Sequence, residues 1–233
     1  MKKLQNPRAM AIALALSSAL LNIQTVSAAD RDQVYLERAV SSLEQGDLRT
    51  GVIELKNALQ QNPDNAQARL LLGKTYLQLG DPVAAEKELR RARDLAVGRQ
   101  QWLPPLGEAY LAQSQFQRLL DEITLEADDP KPLQAQALAL QGLAELGRGD
   151  RETARARLSR ALELDDGQIN ALLGLARLTI NDDPQQAQAL LERALDKQPD
   201  SFQVWQLQGQ LHQAQGEHKA AIEAFDRVLT MRP

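Results

Sequence analysis

The chain has 233 residues, a net charge of −4 and 43% hydrophobic residues, enough to bury the core of one or two domains. Aromatics are only 3%, and a composition carried by Ala, Leu and Gln favours helix over a sandwich or barrel, which would want β-branched and aromatic residues. With no cysteine and two histidines, the chain excludes a disulfide framework, thiolate metal sites, a cysteine nucleophile, thioether lipidation and any site built on several imidazoles. The lack of a basic excess argues against nucleic-acid binding.

The first 28 residues have the order of a secretory signal peptide. Lys2, Lys3 and Arg8 form a positive segment, Ala9 to Ile23 is largely apolar, and Val26-Ser27-Ala28 offers small residues for cleavage. The apolar stretch is short for a transmembrane span, and an uncleaved anchor is the alternative. The expectation is an exported, periplasmic chain with no stable membrane insertion once the signal is cleaved.

Residues 29–233 read as an array with a period near 34. Gly46-Asp47 returns as Gly80-Asp81, Ser114-Gln115, Gly149-Asp150, Asn181-Asp182-Asp183 and Gly216-Glu217. Two columns of small residues share the register. One is Gly51, Ala85, Leu119 (the exception), Ala154, Ala187 and Ala221; the other is Ala39, Gly73, Gly107, Gly142, Ala176 and Gly209. Six repeats are expected, at about 32–65, 66–99, 100–134, 135–168, 169–201 and 202–233. Each reads as helix–turn–helix. Gly takes the left-handed conformation that closes the first helix, and Asp caps the second. Small residues let the two helices approach and admit a neighbour's large side chain. The third repeat departs most: it lacks the turn glycine, and Trp102-Leu103-Pro104-Pro105 opens its first helix. The array leaves no residues for a catalytic domain, and no nucleophile–base set is visible, so no enzyme and no cofactor or metal site is expected.

A 34-residue unit with Leu70, Leu72-Gly73, Tyr76, Ala85, Leu89 and Ala92, repeated with Trp205, Gly209, Ala221, Phe225 and Pro233, resembles the tetratricopeptide (TPR) repeat. The resemblance implies an all-α solenoid, six helix–turn–helix repeats in a right-handed superhelix, whose first helices line a concave face. More narrowly, the runs Val52–Gly73, Ala84–Ala92, Leu103–Leu106 and Ala171–Leu178 resemble the N-terminal part of the TPR proteins of the PEP-CTERM/exosortase system, the PrsT type. Members of that family are often lipoproteins and much longer than this chain. An array ending at Pro233 is expected to lack a polar cap and to expose apolar surface around Phe225 and Leu229.

By the same family pattern, particular positions of each first helix face the groove. Position 2 is an amide in all six repeats: Gln33, Gln67, Gln101, Gln136, Asn170 and Gln203. A primary amide donates and accepts, so a ladder of them suits an extended peptide backbone or sugar hydroxyls. The position also falls in the first helical turn, where an exposed polar residue needs no function. Leu36 and Leu70, with Leu173, fill position 5; Lys74, Glu108 and Arg177 fill position 9.

Other signals read as structure. Arg148-Gly149-Asp150 is the repeat turn. Arg148, Arg151, Arg155, Arg157 and Arg160 form a solvated basic face with Glu152 and Glu163 beside them. His212 and His218 flank the last turn on different helices, and Trp205 and Phe225 stand at core columns. The function expected is an exported adaptor binding a segment of an envelope protein, in an exopolysaccharide or PEP-CTERM sorting system with polysaccharide-system components as further partners. The alternative is a periplasmic assembly factor for a pilus or secretin, or a TPR subunit of a polysaccharide-export machine.

Overall fold

The computed structural model describes residues 28–231. The expected signal peptide lies outside them apart from Ala28, as does Pro233. The described residues form twelve helices and no strand: α1 Ala28–Glu44, α2 Leu48–Gln61, α3 Ala66–Gln78, α4 Pro82–Asp94, α5 Arg99–Ala112, α6 Phe116–Glu122, α7 Lys131–Arg148, α8 Arg151–Leu164, α9 Ile169–Thr179, α10 Pro184–Lys197, α11 Phe202–Ala214 and α12 His218–Met231. They belong to two compact bodies divided after Asn65. In the first, α1 packs on α2. Asn62 and Asn65 there donate to the buried Asp32 carboxylate at 2.8 and 3.0 Å, tying the end of α2 back to α1.

In the second body each helix packs on its sequence neighbour, and the first helices of successive pairs also touch: α3 on α5, α5 on α7, α7 on α9 and α9 on α11. This is the helical solenoid that the resemblance implied. The small columns explain how the helices approach. A Cβ built on Gly73 would lie 2.6 Å from Leu89 Cγ and 3.2 Å from the Ala85 carbonyl oxygen. On Gly142 it would meet Leu158 at 2.7 Å and the Ala154 carbonyl at 3.3 Å. Thus one small column sits on the other, and a leucine from the partner helix fills the space a side chain would need.

The turns repeat in detail. Gly46, Gly80, Gly149 and Gly216 all have positive φ. At the first of them Gly46 N–H bonds the Leu43 carbonyl and Asp47 N–H the Ser42 carbonyl, at 3.0 and 2.9 Å. This pairing satisfies the last carbonyls of α1. The side chains of Asp47, Asp81, Asp150 and Asp183 each accept the N–H three residues on, which caps the following helix. The turn at 181–183 differs: Asp182 and Asp183 N–H both reach the Thr179 carbonyl, with no left-handed residue.

The third repeat keeps this turn without glycine. Ser114 takes φ +57°, with the same two backbone bonds to Leu111 and Tyr110. A side chain in that region is strained. Ser114→Gly is therefore expected to stabilise the protein by about 0.5–1 kcal/mol, read as a higher urea midpoint; an unchanged or lower midpoint would show that Ser114 carries no strain.

One expectation about the third repeat needs correction. Pro104 and Pro105 do not open a helix: α5 starts at Arg99 and both lie inside it. They leave the Gln100 and Gln101 carbonyls without their helical donors, and the helix continues through both. The next first helix, α7, begins at Lys131 behind Pro130. Helix α6 has only seven residues, and polar contacts replace the missing turn. Tyr110, fully buried, donates to Glu122 Oε2 at 2.9 Å. Arg93 and Arg118 reach Glu122 at 2.9 and 3.0 Å. Burial would raise the Glu122 carboxyl, but the bonds from Arg93, Arg118 and Tyr110 hold it below the ordinary range. Burial and Glu122 together push the Tyr110 phenol far up, so it stays a donor.

Candidate functional site

The row of first helices α5, α7, α9 and α11 presents one polar cleft of about 340 Å3. Four of the side chains expected at groove positions line it together: Glu108 on α5, Gln136 on α7, Asn170 on α9 and Gln203 on α11. Leu173 forms part of its apolar lining. The helix register accounts for this convergence. Asn170 and Gln203 are the second residues of their helices, and neighbouring first helices stand side by side. No hydrogen bond within the protein occupies the Gln136 and Asn170 amides among the described residues. Gln203 accepts one at Oε1, from Ser201 Oγ at 3.1 Å, which leaves its amide N–H groups to face the cleft.

Glu108 adds a carboxylate to the wall. Desolvation there pushes its carboxyl up from the ordinary value, and Lys74 on α3 offsets this in part. The cleft thus holds carboxylates and primary amides, a set that can pair with a peptide backbone.

Two loops that contribute to the cleft were not legible as site residues. Asp165, Gly167 and Gln168 precede α9; Gln198 and Ser201 precede α11. Both loops use the same tight turn, with Gln168 N–H bonding the Asp165 carbonyl and Ser201 N–H the Gln198 carbonyl. Gln168 caps α9, accepting from Ala171 N–H at 2.9 Å. The usual capping residues are Ser, Thr, Asp and Asn, so nothing in the residue type marked Gln168. The repeated turn around Asn62-Pro63-Asp64-Asn65 and Gln198-Pro199-Asp200-Ser201 was the available signal.

The remaining expected groove residues fall elsewhere. Leu70 is 2% exposed and belongs to the core with Ala85 and Leu89. Leu36 is buried in the first body. Position 5 therefore turns between helices in these two repeats, and neither leucine presents a groove surface. Gln67, Lys74 and Gln101 are exposed on α3 and α5 but outside the cleft. Gln33 is exposed on α1 in the first body, where it donates to Glu37 at 3.1 Å. Arg177, exposed on α9, borders a second cavity of about 330 Å3 lined by Leu111, Phe116, Leu143, Leu146 and Gly147.

Of the arginines expected to form one solvated face, Arg148 at the end of α7 and Arg151, Arg155 and Arg160 on α8 are exposed, and Arg157 is the exception. Arg157 turns back onto Gln141 and Glu145 of α7, and Arg148 pairs with the same buried Glu145 at 3.1 Å. Arg151 reaches the Leu178 carbonyl at 2.8 Å and Asp182 at 3.3 Å, while Arg160 pairs with Glu163 as expected. His212 Nδ1 lies 2.7 Å from Glu217, and His218 is exposed. Phe225 covers Gly209, where an added Cβ would meet its ring at 2.5 Å. Trp205 is half-buried, donating to the Pro199 carbonyl under the Arg227 guanidinium. Leu229 is exposed, as expected.

Residues 42–103 and 171–233 each match a family model described as Tetratricopeptide repeat. No curated protein matches the chain. Among solved structures, the chain is similar to Pseudomonas aeruginosa PilF, with 18% identity, 88% of this chain and 94% of that one covered, and a TM-score of 0.58. It is similar to PilW, described as a widely conserved type IV pilus biogenesis factor, at 19% identity, 85% and 92% coverage and a TM-score of 0.57. It also resembles a tetratricopeptide repeat protein from Parabacteroides merdae, at 19% identity, 87% and 80% coverage and a TM-score of 0.58. At these identities the likeness concerns the fold.

Proposed function

Since the chain belongs to the tetratricopeptide-repeat family, we propose that its second body is a docking groove for an extended segment of another protein, and that the chain is an exported adaptor of the cell envelope. The observation that carries this reading is the cleft where Gln136, Asn170 and Gln203 stand together, with donors and acceptors directed at one space. A peptide backbone presents alternating N–H and C=O groups, and primary amides match both. Leu173 gives the same cleft an apolar contact. The export part rests on the signal-like order of residues 1–28, and no helix among the described residues is long and apolar enough to cross a membrane.

Each amide–backbone bond is worth about 0.5–1.5 kcal/mol net. Replacing Gln136, Asn170 and Gln203 together by Ala should therefore weaken partner binding by about 10- to 1,000-fold, with little change in helix content. The partner is found by placing a photocrosslinking amino acid at Gln136 in the producing cell and identifying the adduct by mass spectrometry. Crosslinks should form from Gln136 and not from the exposed Arg155 of α8. Equal capture at both positions, or undiminished binding by the triple variant, would overturn the groove.

The partner's identity decides the system served. The narrow sequence resemblance supports an exopolysaccharide or PEP-CTERM sorting system. A second reading, an assembly factor of a type IV pilus, is supported by PilW and PilF, which this chain matches over most of both lengths. Adducts with sorting-system proteins favour the first; adducts with pilus or secretin subunits favour the second. Direct binding of the host's own polysaccharide in a titration would favour an export machine.

A further inference from the structure

The second cavity draws on three of the helices that form the amide cleft, α5, α7 and α9, one to two turns further along each, and adds Phe116 of α6. Glu108 and Leu111 share α5, Gln136 and Leu143 share α7, and Leu173 and Arg177 share α9. Residues three, four and seven apart lie on one helix face. At about 1.5 Å per residue the offset along the helices is roughly 5–10 Å, which an extended chain covers in about two to three residues. One bound segment can therefore reach both cavities.

The chemistry of the second cavity is different. Its walls are Leu111, Phe116, Leu143 and Leu146, and its polar edge is Arg177. The space over Gly147 is taken by the Phe116 ring, which would lie 2.4 Å from an added Cβ and so closes one side. Arg177 is exposed, with no ion pair or hydrogen bond among the described residues. Arg148 of α7 and Arg157 of α8 are paired with Glu145, and Arg151 with Asp182. An open apolar pocket beside an uncompensated cation is complementary to a bulky apolar side chain next to a carboxylate. We propose that this pocket selects the ligand of the groove, taking a Leu-, Ile- or Phe-type side chain with an adjoining Asp or Glu carboxylate on Arg177. This rests on the groove reading above and names the chemistry its ligand must carry.

The test uses the full chain on an array of ten-residue peptides in a constant Gly/Ser/Thr background, carrying Leu-Asp, Leu-Asn, Leu-Lys or Ala-Asp at the centre. Leu-Asp peptides should be retained best. Arg177→Glu, a change at an exposed position, should weaken Leu-Asp by about five- to tenfold and improve Leu-Lys. A photoreactive leucine at the Leu position should label the segments around Leu111–Phe116 or Leu143–Gly147. Peptides that bind and depend on Gln136 and Gln203, yet show no preference for Leu-Asp or no inversion with Arg177→Glu, would overturn the pocket and leave the groove standing. An array that retains nothing would overturn both.

Discussion

Leu158→Ala is expected to destabilise the protein by about 3–5 kcal/mol, the upper part of the range for truncating a buried leucine. Leu158 is fully buried at the centre of the core that runs through α7, α8 and α9. Its side chain fills the space of two absent ones: a Cβ on Gly142 would meet it at 2.7 Å, and one on Gly174 at 2.8 Å. Neither glycine has atoms to move into the void, so the cavity cannot collapse from those sides. The loss also falls on two contacts, α7 on α8 and α8 on α9. In a stack stabilised by nearest-neighbour contacts, that should uncouple the halves on either side. Urea unfolding followed by circular dichroism should show a lower midpoint and a broader or split transition. Leu229→Ala, at an exposed position, provides the reference with little change. A Leu158→Ala protein within about 1 kcal/mol of the parent would show that the core tolerates the void by repacking.

Asp129→Ala is expected to cost about 2–3 kcal/mol and to loosen residues 123–130. Asp129 is buried in the loop that replaces the end of the short sixth helix. It accepts from Arg99 Nε at 3.0 and 3.2 Å and from Glu126 N–H at 3.1 Å. Its carbonyl takes the Gln134 amide at 2.7 Å. Arg99 also donates to the Thr124 carbonyl, so one guanidinium and one carboxylate fasten the whole loop to α5. Breaking a fully buried pair costs about 3–5 kcal/mol; the smaller figure here reflects Arg99, 19% exposed and still paired with Glu126 at 2.9 Å. Asp129→Asn keeps the shape and one acceptor and should lose less. The checks are urea unfolding and limited proteolysis, with new cleavage between 123 and 130 in Asp129→Ala alone. Stability within about 0.5 kcal/mol of the parent would show the loop to be held by packing instead.

The period of 34 made the helix pairs legible because turn chemistry and close helix contact each demand one residue type. A left-handed residue wants glycine, a cap wants aspartate, and a crossing wants Gly or Ala. Those columns carry most of the fold. What was not legible involved residues whose role depends on where a neighbouring repeat lies. Leu36 and Leu70 look like groove leucines by position and are core by packing. Arg157 looks like surface by composition and is held by Gln141 and Glu145. Of the cleft, the helix-borne side chains Glu108, Gln136, Asn170 and Gln203 could be read from register. Its loop walls, Asp165 to Gln168 and Gln198 to Ser201, could not, since loops have no period. The prolines of α5 misled as well. A residue that usually marks a boundary lies here inside the helix it was expected to open.

The facing small columns also bear on how such a chain can change its length. Gly73, Gly142 and Gly209 each meet a large side chain supplied by the next helix, Leu89, Leu158 and Phe225, while Gly107 meets Leu140 of the following repeat. A duplicated stretch of one period brings both halves of that fit with it, so it needs no newly matched surface to join the stack. A stretch of any other length would put a leucine where a glycine should be. The architecture therefore favours inheritance by whole repeats, and leaves the groove residues, which the fit does not use, free to diverge from one copy to the next.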